Sequence, residues 1–156
     1  MSKGEEPTTG FLVWRVALKF RASVDRAVAG LGLTHAQYSL LASLYGMSRS
    51  GTAPSQRELA DHTGLDPIFV SKLARALEQA GLVTRATHRR DPRAVELTLT
   101  DHGITTVRKA VGLVHDLQKQ LLAPIGGPGS PRDRALAKTL RDLLDAPGGD
   151  DKGESS

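Results

Sequence analysis

The chain of 156 residues contains no cysteine. That excludes disulfides, thiol-based redox sensing and thiolate metal sites. Aromatic residues are scarce, at 4%, and hydrophobic residues make up 39%. This is a thin supply for a core, and it suggests that some apolar surface of the helices is buried between subunits. There is no run of about 18 apolar residues, so no segment reads as a membrane span. Residues 1–10 are polar and lack the apolar stretch of a secretory signal, which makes the cytoplasm the expected location. Catalytic signatures are also missing. The chain has no G-x-S-x-G, no H-E-x-x-H, and no phosphate-loop lysine after Gly126-Gly127-Pro128-Gly129, so no enzymatic activity is expected. The five histidines (His35, His62, His88, His102 and His115) show no i, i+3 or i, i+4 pairing, so neither a metal nor a cofactor is expected.

What is present is helical periodicity with clear punctuation. Residues 1–9 read as a disordered lead. From residue 11 to about 29, Val13, Val16, Ala17, Phe20, Val24, Ala27 and Val28 form one apolar stripe. Leu12 and Leu18 lie off it, and a second apolar face favours an intertwined dimer. Gly30-Leu31-Gly32 breaks this helix. Thr34 with Gln37 has capping-box form and starts the next, followed by Tyr38, Leu40, Leu41 and Leu44.

Ser55 with Glu58 is a second capping box. Its helix should run to about residue 62 and stop at a left-handed Gly64. Asp66 then caps a helix with Pro67 at its first position, running to about residue 80. On it Val70, Leu73, Ala74 and Leu77 form the buried face, and Gly81 ends it. Residues 82–86 and 95–99 read as strands, with Val95, Leu97 and Leu99 on one face. Thr100 or Asp101 starts a long helix with the stripe Ile104, Val107, Val111, Val114, Leu117 and Leu121. After a loop over residues 124–129, Ser130-Pro131 opens a last helix carrying Leu136, Leu140, Leu143 and Leu144. Residues 147–156 read as a disordered tail.

The fold class is therefore mainly α with a small β-hairpin (α+β). Its centre is a helix pair followed by a basic ribbon whose tip is His88-Arg89-Arg90-Asp91-Pro92-Arg93. A helix suits a DNA major groove, and a ribbon of arginines can reach phosphates or the minor groove. The net charge of +4 permits nucleic acid without demanding it. On the second helix of the pair, Pro67, Ile68, Phe69, Ser71, Lys72 and Arg75 are the candidates for contact. Lys72 and Arg75 suit guanine or phosphate, Ser71 a base or phosphate, and Ile68 and Phe69 thymine methyls; the bland alternatives are solvated charges and, for Phe69, a place in the core. Arg89, Arg90 and His88 suit phosphates. Thr34, Ser55 and Gln56 sit at helix starts, where capping and phosphate contact are both open roles.

With Gly32-Leu33-Thr34, Gln37-Tyr38, Leu41, Leu59-Ala60, Gly64-Leu65, Val70-Ser71, Leu73, Leu77-Glu78, Gly81-Leu82-Val83, Asp91-Pro92-Arg93, Leu97-Thr98-Leu99-Thr100 and Gly103 in this order, the chain resembles the MarR family of bacterial transcription regulators. The likeness covers roughly residues 11–144. It implies a winged helix-turn-helix lobe over residues 33–100, dimerisation helices over 10–32 and 101–146, and a homodimer on a pseudo-palindromic DNA operator. It implies that Arg93 enters the minor groove, with Asp91 holding its guanidinium in a bidentate pair. It further implies a repressor released by a small aromatic or anionic effector, bound near Trp14, Arg15, His35, Tyr38 and His115. The alternative class is a winged-helix protein-interaction module without specific DNA binding, which would leave the arginine-rich ribbon without a clear purpose.

Overall fold

A computed structural model describes residues 4–51 and 53–147. Residues 1–3 of the expected lead, and 148–156 of the expected tail, lie outside them. Residues 4–8 form neither helix nor strand. Helix α1 spans Thr9–Val28, two residues earlier than the apolar pattern suggests, because the Thr8 hydroxyl accepts the Phe11 N–H at 3.2 Å and caps it. A short 3-10 turn, Ala29–Leu31, and Gly32 at φ 74° end it. Helix α2 spans His35–Ser48, and both bonds of the Thr34–Gln37 capping box are present. From α1, Asp25 adds a further cap, accepting the His35 N–H at 2.5 Å.

Helix α3, Gln56–Thr63, and helix α4, Pro67–Gln79, form the expected pair. Gly64 stands at φ 73° between them, and Asp66 accepts the Ile68 and Phe69 N–H groups. At Ser55 only the forward half of the expected capping box forms, from the Glu58 N–H to the Ser55 hydroxyl. The backbone here is drawn into the sheet instead. Ser55 bridges Glu96, and the Pro54 carbonyl accepts the Leu97 N–H at 3.0 Å.

Strands β1, Val83–Thr87, and β2, Val95–Leu99, pair antiparallel with Val83 opposite Leu99 and Thr87 opposite Val95. Thr100 ties this ribbon to the end of α4. Its hydroxyl donates to the Gly81 carbonyl at 2.6 Å, and its N–H reaches the Leu82 carbonyl. Helix α5 follows over Asp101–Leu122. Its buried face is Gly103, Thr106, Val107, Ala110 and Val114, so that Val107 and Val114 of the expected stripe are buried but the face turns toward the small residues and away from Val111. Val111 is 38% exposed. Small residues decide the difference. A Cβ on Gly103 would stand 1.9 Å from the Leu82 carbonyl oxygen, so the helix approaches the ribbon through its glycine.

One apolar core joins Val24 and Val28 of α1, Leu40, Leu41 and Leu44 of α2, Leu59 of α3, Val70 and Leu77 of α4, Leu97 of β2 and Val107 of α5. It lies within residues 1–117, one of the two units into which the chain divides. The second unit begins at Gln118. Within it, a 3-10 turn at Ala123–Ile125 leads to helix α6, Pro131–Asp145, capped by Ser130. No α6 residue is buried, and Leu136, Leu140, Leu143 and Leu144 are all exposed. Among the described residues no helix is long and apolar enough to cross a membrane.

Candidate nucleic-acid interface

Helix α4 is amphipathic, with Val70, Leu73, Ala74 and Leu77 buried. Its opposite face is open: Pro67, Ile68, Phe69, Lys72 and Arg75 are exposed and Ser71 is half-buried. Ile68 is 71% and Phe69 43% exposed, so Phe69 does not join the core. Two bulky apolar side chains at a solvated helix start form a contact surface in want of a partner. Among the described residues, neither Lys72 nor Arg75 has an ion-pair partner.

At the ribbon tip, main-chain bonds are satisfied locally. The His88 N–H donates to the Ala94 carbonyl at 2.9 Å, and the Ala94 N–H donates to the Asp91 carbonyl at 3.0 Å. His88 Nδ1 accepts the Arg90 N–H at 3.2 Å, so the imidazole braces the loop from within. The Asp91 carboxylate accepts the Arg93 main-chain N–H at 2.9 Å. It thus folds the turn rather than gripping the Arg93 guanidinium as the resemblance implied. A short aspartate side chain readily accepts from the amide two residues on, which closes the turn. The guanidiniums of Arg89, Arg90 and Arg93 are exposed, and among the described residues none is engaged by a carboxylate.

Arg85 differs from these three. Half-buried, it donates from Nε to Gln56 Oε1 at 3.2 Å and lies 3.8 Å from Glu78 Oε1, joining β1 to α3 and α4. It holds the ribbon in place against the helix pair. Gln56 is committed to this bond, and Ser55, 5% exposed, to capping α3. Thr34 is exposed and accepts the Gln37 N–H.

The candidate effector residues fall into separate groups. Trp14 is 57% exposed on α1 and packs near Phe11, over whose ring Arg15 also lies. Half-buried His35 meets the Phe20 ring edge-on, with centroids 6.1 Å apart. Loss of water around His35 lowers its pKa, although Asp25 acts in the opposite direction. Burial raises the Tyr38 pKa. His115 lies in a depression with Leu31, Arg108, Leu113 and Asp116, which none of the other four lines. Sequence reading missed the pair in which Arg108 Nε donates to the Tyr45 hydroxyl at 3.2 Å, tying α5 to α2. No short-range pattern signals a contact between residues 63 positions apart. No group of three potential metal ligands occurs among the described residues.

Comparison with known proteins agrees with this geometry. Residues 31–94 match the sequence profile of the MarR family. The chain is 32% identical over 120 residues to the uncharacterized HTH-type transcriptional regulator YdcH of Bacillus subtilis, covering 77% of this chain and 82% of that protein. It is 29% identical over 143 residues to the HTH-type transcriptional repressor Rv2887 of Mycobacterium tuberculosis, covering 92% and 98%. The transcriptional regulator MosR of M. tuberculosis, solved in complex with DNA, superposes with a TM-score of 0.70 at 26% identity, covering 90% of this chain and 98% of that one. By its sequence and its winged helix-turn-helix, this chain belongs to the MarR family of transcription regulators.

Proposed function

We propose that the protein is a cytoplasmic homodimeric repressor that grips a pseudo-palindromic operator with two copies of α4 and two ribbons. The observation that carries this reading is the pairing of two open surfaces in one lobe. The solvated start of α4 is apolar and basic, and the ribbon presents three guanidiniums that have no ion-pair partner among the described residues. In this reading Ile68, Phe69, Ser71, Lys72 and Arg75 face the major groove, where apolar side chains meet thymine methyls and cations meet guanine or phosphate. Arg93 enters the adjacent minor groove, where the negative potential favours a guanidinium. Arg89 and Arg90 neutralise phosphates. Thr34 serves as a cap with a free position toward the backbone. Asp91 acts indirectly, by shaping the turn from which Arg93 projects.

Dimerisation is supported by apolar side chains that this chain leaves uncovered. These include Leu12, Val13, Trp14 and Val16 on α1 and, in the second unit, Leu136, Leu140, Leu143 and Leu144 on α6. Repression is supported by the likeness to a repressor of the family. An effector touching Trp14, Arg15, His35, Tyr38 or His115 would act by favouring a dimer whose two lobes no longer fit one face of the duplex.

The test is selection from a pool of random duplexes with salt titrated. An enriched inverted repeat with half-centres about one helical turn apart, bound by one dimer, is the expected result. No enriched motif, with binding lost near physiological salt, would replace this reading with a protein-contact module.

A further inference from the structure

Among the described residues of 33–100, Ile68 and Phe69 are the large hydrophobic side chains that stand exposed, Ile68 at 71%. The other exposed ones lie on α1, α5 and α6. Ile68 and Phe69 both sit in the first turn of α4, and that turn has no hydrogen-bond donor left to offer. Pro67 carries no N–H. The Ile68 and Phe69 N–H groups donate to the Asp66 carboxylate at 2.8 and 3.2 Å, and the Val70 N–H donates to the Asp66 carbonyl at 2.9 Å. A bare helix start attracts phosphate, but here a carboxylate already occupies it. Polar side chains on the open face begin only with Ser71, followed by Lys72 and Arg75. The leading turn of α4 is therefore an apolar surface without donors, set beside cations.

We propose that this turn reads the C5-methyl group of a pyrimidine, and so accepts 5-methylcytosine in place of thymine. This rests on α4 lying in the major groove, as in the proposed function, and names what its first turn recognises there. Residues at the start of a recognition helix lie against base edges. Of the groups that the major groove displays, the thymine methyl is the apolar one, and the others are hydrogen-bond donors and acceptors. A turn whose amides are taken gains nothing from an acceptor such as guanine N7. It gains from burying a methyl between Ile68 and Phe69. Methylation of cytosine supplies that group without changing the base pair, so a site with cytosine at this position is bound more tightly once methylated. Ser71, Lys72 and Arg75 serve the adjoining positions.

The test runs the random-duplex selection on the full-length protein with an ordinary pool, a pool with uracil for thymine, and a pool with 5-methylcytosine for cytosine. Enriched duplexes are then titrated by fluorescence anisotropy with one base exchanged at a time. Exchange of a thymine beneath α4 for uracil, which removes only the methyl, should weaken binding about fourfold, as loss of one buried methyl does. At the same position 5-methylcytosine should bind about fourfold tighter than cytosine, a comparison that holds any Asp66 contact to the amino group constant. Ile68→Ala or Phe69→Ala, both at exposed positions, should shrink the thymine-to-uracil ratio toward one, and Lys72→Ala should leave it. An enriched motif bound equally with thymine and with uracil overturns this inference and leaves the operator reading standing. An unchanged ratio in both folded alanine variants does the same. No motif from any pool overturns both.

Discussion

At Gly103 the α5 backbone stands so close to the Leu82 carbonyl that a Cβ would overlap it, at 1.9 Å. Gly103→Ala must therefore push α5 off the ribbon, and the neighbour is backbone with little freedom to yield. A loss of about 1–3 kcal/mol, the range for overpacking, is expected in urea denaturation. Unchanged stability would show that the approach is looser. Gly64 has a different reason: open space surrounds it, but φ is 73°. Gly64→Ala should cost about 1–2 kcal/mol through backbone strain alone. Gly64 was legible in the sequence, since a glycine closing one helix before an Asp-Pro start signals a left-handed stop. The packing role of Gly103 was not, because nothing local reports the carbonyl across from it. His35 yields a pH prediction. Its folded pKa lies below the usual 6.5 because burial disfavours the charged ring. The unfolded chain then binds the proton more tightly, so stability rises with pH through this window and falls as pH drops below about 6.5. Comparing denaturation at neutral and mildly acidic pH should show that loss, and His35→Gln should reduce it.

Among the elements, the ribbon separates Arg85, held by Gln56 and Glu78, from the exposed Arg89, Arg90 and Arg93. Arg93→Ala should cost about 1–3 kcal/mol of operator affinity and relax specificity where it inserts. Affinity equal to wild type at matched salt would remove Arg93 from the interface. Arg89→Ala should weaken operator and random duplex alike and lower the salt slope by about one. Arg85→Ala is expected to act through structure, since Gln56 and Glu78 would lose the side chain that joins β1 to the helix pair. It should lower thermal stability where Arg89→Ala does not. The elements themselves were readable from caps and periodicity: α4 with its Asp66-Pro67 start and four buried positions, and β2 at its observed limits. The structural place of Arg85 was not, because its partners come from α3 and α4, and Asp91 had two reachable donors in the same turn.

For the whole molecule, the apolar residues left open on α6 predict an assembly. Leu140→Glu and Leu143→Glu together should shift sedimentation from dimer toward monomer and weaken operator binding, while the core over residues 1–117 stays folded. A double variant that remains dimeric would place the interface elsewhere. Sequence alone determined the order of helices, the winged helix-turn-helix and the absence of thiol chemistry, because these follow from local spacing, caps and composition. It also marked an excess of apolar faces, since those stripes are visible whether or not anything covers them. Only tertiary structure decided which residues of α5 are buried and that Arg85 joins β1 to the helix pair. Each of these depends on how closely two backbones approach, and side chains distant in sequence set that distance.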